Sequence, residues 1–212
     1  MKENENNSVD TVDTNKQAKT NTKTSFLGEF FDYFELFIIS ACLVLISFSF
    51  VTRLCRVDGP SMLNTLHDAE MLLVSDVMYT PERGDVIVFH QTGNNPGDLN
   101  EPIVKRVIAT EGEWLHIVKD NNSLTVTVYD SNKENPIVLD EDYANYEYGT
   151  GAYYSYPDEP FQIPEGCLFV MGDNRGNSLD SRSGAIGFVD ERRVLGKVLF
   201  RLTPFDKIGA IN

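Results

Sequence analysis

Cysteine, histidine and tryptophan are scarce in this 212-residue chain, numbering three, three and one. Cys42, Cys55 and Cys167 are too few and too scattered for a disulfide framework, and no Cys-x-x-Cys pair offers zinc or redox chemistry. Cys42 lies inside an apolar run, where it reads as a small hydrophobe. Basic residues are short as well: 18 Lys and Arg against 32 Asp and Glu leave a net charge of −14. Affinity for phosphate backbones rests on basic side chains that displace counterions, so nucleic acid is a poor partner for this chain. No G-x-S-x-G elbow is present. His67 sits in a turn-like stretch, His90 closes a strand and His116 alternates within another, so each reads as structural or surface-lying. No pair of histidines or acids has ligand spacing on a helix, and no metal is expected. There is no internal repeat.

What is present divides into unlike segments. Hydrophobic residues make up 42%, with 13 Phe and 9 Tyr, enough to bury a core and to exclude full-length disorder. The length suits one domain or one domain plus an appendage. Residues 1–25 are nearly all polar and are expected to form a disordered tail. Leu36–Val51 then runs for sixteen residues without a charge, glycine or proline. With its apolar flanks it approaches the ~20 residues that span a bilayer, so 30–55 is expected to be a single transmembrane anchor. A cleaved signal peptide fits poorly, because the preceding tail is long and not basic and no A-x-A-like site follows. Lys16, Lys19 and Lys23 on the N-terminal flank favour a cytoplasmic tail and an extracytoplasmic C-terminal portion in the plasma membrane.

Beyond residue 57 the pattern turns to β. Met71–Met78, Asp85–His90, Ile103–Ala109, Leu115–Val118, Cys167–Met171 and Val194–Leu202 are short runs rich in Val, Ile and Leu. Leu124–Tyr129 alternates apolar residues with threonine, and Asn121-Asn122 before it supplies turn chemistry for a hairpin. The fold class expected is mainly β: an antiparallel body over 56–119 and 161–212 behind one helix. Segment 120–160, with nine carboxylates to one Lys and a tyrosine-rich stretch, reads as an acidic cap or insertion.

Two places suggest chemistry. Ser61 follows Gly59-Pro60 in a conformationally restricted corner. Lys105 stands mid-strand in Ile103–Ile108, on the face of Ile103 and Val107. A lysine desolvated there would lose basicity and could serve as a general base, while a snorkelling strand lysine is the structural alternative. Ser-Lys pairs are one variant of the activated nucleophile.

Four stretches, Val57–Leu66 (VDGPSMLNTL), Arg83–Phe89 (RGDVIVF), Val104–Ile108 (VKRVI) and Phe169–Arg182 (FVMGDNRGNSLDSR), resemble in order the signature boxes of the bacterial type I signal peptidases. The resemblance implies a β-rich catalytic core with a smaller cap and an activity that removes signal peptides from secretory precursors after small residues. It implies Ser61 as nucleophile, Lys105 as general base and Ser178 as the hydroxyl that orients the amine. Asp180 and Arg182 match a supporting ion pair, and Asp173, Asn174 and Arg175 match scaffold positions. Met62, Leu66, Ile103 and Val104 match the pocket lining. No metal or cofactor is implied, and the partners are precursor proteins and the lipid bilayer. Gly59 stands where some members carry an oxyanion-donating serine, so the donors here would be the backbone N–H groups of Ser61 and Gly59. Ala69-Glu70 stands where Gly-Asp is common. A non-catalytic, membrane-tethered assembly module is the rival, and retention of both Ser61 and Lys105 argues against it.

Overall fold

The uncharged run forms the C-terminal part of a 26-residue helix, α1 (Phe26–Val51). The computed structural model describes residues 26–91, 101–121, 123–147, 149–150 and 157–211, with the backbone alone for 26, 27 and 47–51. The tail expected over 1–25 lies outside the described residues. No glycine or proline interrupts α1 after Gly28, and its described large apolar side chains are exposed, Phe37 at 67% and Leu45 at 69%. Among the described residues no helix is long and apolar enough to cross a membrane. The stretch 30–55, expected as an anchor, is helical only as far as Val51. Thr52–Arg56 is a strand, β1, paired antiparallel with β2 (Met71–Ser75).

The remainder is β, as its short branched runs imply. The main sheet adds β3 (Val86–His90), β4 (Pro102–Ala109), β9 (Cys167–Met171), β10 (Val189–Asp190), β11 (Val194–Thr203) and β12 (Gly209–Ala210). Its order is β1-β2-β11-β3-β4-β9-β10, with β12 on β11. A second sheet of four strands contains β5 (Trp114–Asp120), β6 (Ser123–Tyr129), β7 (Ile137–Val138) and β8 (Phe161–Gln162). The alternation in β6 is borne out: Leu124, Val126 and Val128 are buried and the threonines between them are not. Asp120 pairs with Ser123 across a two-residue loop whose Asn121 has φ +40, the conformation a tight hairpin needs. The second sheet therefore begins at Trp114 and takes in β8, so the boundary expected at 119/120 falls inside a hairpin.

Strands β4 and β9 alternate between two cores. Val107, Leu168 and Val170 pack with Ile87 and Phe89, whereas Ile108, Phe169 and Met171 pack against Leu115, Ile117 and Val126 of the second sheet. A third cluster, with Leu72, Val74, Val88 and Val198, lies under the serine loop.

Candidate active site

Ser61 rides on a loop closed at its base by two backbone bonds, Val57 N–H to Glu70 O at 2.9 Å and Ala69 N–H to Val57 O at 3.0 Å. Gly59 turns the chain with φ +84, and its N–H donates to Asp68 Oδ1 at 2.9 Å. Below the loop, Met62 and Leu66 are fully buried in the third core cluster. Their apolar side chains fix the loop to the sheet.

Lys105 projects from β4 and is 4% exposed. Its Nζ donates to Ser61 Oγ at 2.8 Å and to the Val104 carbonyl at 2.8 Å. Burial lowers its pKa to about 8, against the opposing fields of the Asp180 and Asp173 carboxylates and with help from Arg182. A fall from 10.5 to about 8 is worth ~3 kcal/mol at ~1.36 per unit, so the interior makes a charged amine costly here. Once neutral, that nitrogen can accept the serine proton. His67 lies 3.5 Å from Glu70 and His116 bonds the Asp158 carbonyl. Neither reaches Ser61.

The chain after β9 binds the serine loop and Arg106, the neighbour of Lys105. Asn174 N–H donates to the Ser61 carbonyl at 3.0 Å, and its side-chain amide donates to the Pro60 carbonyl at 3.0 Å. Asp173 takes two bonds from Arg106, the neighbour of Lys105, at 2.9 and 2.8 Å, and one from Thr65 in the serine loop. Gly172 permits this approach, since a Cβ there would overlap the Ser178 hydroxyl and the Ser61 carbonyl. Ser178 is thus placed beside the serine backbone. Asp180 and Arg182 form a two-bond ion pair at 2.8 Å with both side chains wholly buried, and Asp180 also accepts from Gly172 N–H at 3.0 Å.

A groove leads to Ser61 and Lys105, lined by Cys55, Arg56, Asp58, Glu101, Ile103 and Val104 among others. One wall is β1, whose outer side carries no ladder partner among the described residues. The other is the first half of β4: β9 pairs only with Arg106–Ala109, so Pro102–Lys105 keeps an open edge. Two open edges can hold an extended peptide by strand addition.

Of the residues expected at the site, Ser61, Lys105, Ile103 and Val104 line this groove, with Ser178 close by and Asp180–Arg182 behind. Met62 and Leu66 do not line it, because they serve the core. Gly59 N–H, expected as an oxyanion donor, is already engaged by Asp68. The groove residues on β1 were not anticipated, since Thr52–Arg56 falls within the stretch expected to be the anchor. The bonds of Arg106, Thr65 and Asn174 to the serine loop and to its anchor Asp173 were missed as well.

A serine bonded to a buried amine beside open strand edges has the geometry of a hydrolase that takes extended peptides. The family model described as "Signal peptidase, peptidase S26" matches residues 30–203. Signal peptidase I of Bacillus licheniformis is 34% identical over 197 residues, 91% of this chain and 97% of its own. Signal peptidase IB of Staphylococcus aureus is 35% identical over 174 residues, 74% of this chain and 81% of its own. A crystal structure of a signal peptidase I from Enterococcus faecalis aligns with TM-score 0.38 at 27% identity, over 57% of this chain and 97% of that one. The chain belongs to the signal peptidase family. It is a serine peptidase and therefore a hydrolase.

Proposed function

We propose that this protein is a membrane-anchored endopeptidase that removes signal peptides from exported precursors, with Ser61 as nucleophile and Lys105 as its general base. The observation that carries the reading is the 2.8 Å contact between Lys105 Nζ and Ser61 Oγ in a site that brings the amine down to about 8. The neutral amine takes the hydroxyl proton as Oγ attacks the scissile carbonyl. The oxyanion is met by Ser61 N–H, which has no acceptor among the described residues. Collapse breaks the C–N bond, the ammonium of Lys105 protonates the departing amine, and water hydrolyses the acyl-enzyme by the same proton route. Ser178 orients the amine, while Asp180 and Arg182 hold the loop that carries it.

A precursor peptide adds to the open edges of β1 and β4. Side chains alternate with period two along a strand, so the first and third residues before the cut face the same wall. Ile103 and Val104 supply apolar surface there, which suits alanine and opposes bulk. This supports an Ala-x-Ala-like preference.

Helix α1 is the anchor in this reading. Its uncharged part, Leu36–Val51, gives roughly 24 Å at ~1.5 Å per residue, and Phe30, Phe31 and Phe34 before it add apolar surface toward a hydrocarbon core of ~30 Å. The β body also exposes Leu54, Phe200, Phe205 and Ile208, apolar surface suited to a bilayer. The tail is cytoplasmic and the body extracytoplasmic, so enzyme and substrate share one plane at high effective concentration. The test is cleavage of a precursor by Ser61→Ala, Lys105→Ala and Lys105→Arg. All three are expected to be inactive, since a guanidinium stays protonated and cannot act as base. An active arginine variant would remove the base role.

A further inference from the structure

Segment 120–160 does more than extend the second sheet. Leu139 N–H donates to the Val126 carbonyl at 2.9 Å, and the chain beyond it turns back onto the Asp173–Arg175 stretch. Asn145 bonds both sides of that stretch, N–H to Asp173 O at 2.7 Å and O from Arg175 N–H at 2.8 Å. Glu141 accepts two bonds from Arg175 at 2.7 Å each, and Arg175 is wholly buried. Tyr143 donates to Glu141 Oε1 at 3.1 Å. Its ring centroid lies 3.9 Å from Arg106 Cζ and 5.8 Å from Arg175 Cζ.

These contacts join the two arms of the site. Arg175 follows Asn174, which holds the Ser61 carbonyl, and Arg106 follows Lys105. Two guanidinium groups therefore face one aromatic ring in the interior. A carboxylate for each, Asp173 and Glu141, keeps this from being a repulsive pair, and the ring face between them is attractive to cations. Chemistry between Ser61 and Lys105 is sensitive to displacements of about 1 Å. A segment that fixes the neighbours of both residues sets that distance.

We infer that Glu141 and Tyr143 are positioning residues for the reaction, holding Ser61 and Lys105 in register through Arg175 and Arg106. The inference rests on the roles proposed above for those two residues. The experiment is steady-state cleavage of a signal-peptide precursor by the full chain in detergent micelles. Glu141→Gln is expected to lower kcat tenfold or more with KM within twofold, because the groove walls are untouched. Tyr143→Leu is expected to lower kcat about threefold to tenfold, and Tyr143→Phe, which keeps the ring, to stay within twofold of the parent. If Glu141→Gln fails to fold, the pair Glu141→Gln with Arg175→Met contains no unpaired buried charge and is expected to show the same kcat loss. Values of kcat within twofold of the parent in Tyr143→Leu and in the Glu141 variants would overturn the inference, as would a loss confined to KM. Ser61→Ala and Lys105→Ala are measured alongside. Activity in those two overturns the underlying roles, whereas their inactivity beside normal Glu141 and Tyr143 variants overturns this inference alone.

Discussion

Asp180 and Arg182 pair within the interior, two residues apart, with both side chains at 0% exposure. The carboxylate does two things at once. It neutralises Arg182, and its field favours the ammonium form of Lys105 against the dominant effect of burial.

Replacing Asp180 by Asn should separate these effects. An amide takes the Asp180 carboxylate away from the buried Arg182 guanidinium, which costs about 3–5 kcal/mol, and melting should fall on the order of 10 °C. The acid limb of kcat/KM should move to lower pH, because a charge that raised the lysine pKa has gone. A limb displaced to higher pH would mean that Asp180 does not act on the base.

Ala69 occupies the left-handed region at φ +67, a conformation that favours glycine. Substituting glycine should stabilise the protein by about 1 kcal/mol, net of the added chain entropy, and leave turnover unchanged. Thermal unfolding of Ala69→Gly measures this directly. A lower melting temperature would show that the methyl group contributes contacts outweighing the backbone strain.

Topology is open to a simple assay. Protease added to intact protoplasts should digest the β body and spare the N-terminal tail. Survival of the body with clipping of the tail would reverse the proposed orientation.

Most strands were legible because their cause is local. Leu124, Val126 and Val128 alternate with threonines, and the serine, lysine and Gly-Asp-Asn-Arg stretches carry recognisable residues. The start of the sheet was obscured because β1 follows the apolar helix directly, and its Arg53 and Arg56 suit the end of an anchor as well as a strand. The roles of Met62 and Leu66 depend on which way the serine loop folds, and here it turns their side chains into the core. Gly59 loses its free N–H to Asp68, nine residues on, and Arg175 finds Glu141 across 34 residues. Such pairings arise from tertiary closure, and no local period encodes them.

The central claim is that Lys105 works as a neutral amine, and the pH dependence of kcat/KM tests it most directly. The base is active only when deprotonated, so activity should be level above the lysine pKa and fall tenfold per pH unit below it. With the buried amine at about 8, the bend should lie near that pH and well below the ~10.4 of a free lysine. A rate still climbing past pH 10 without a plateau would mean that the amine is solvated and that another group takes the serine proton.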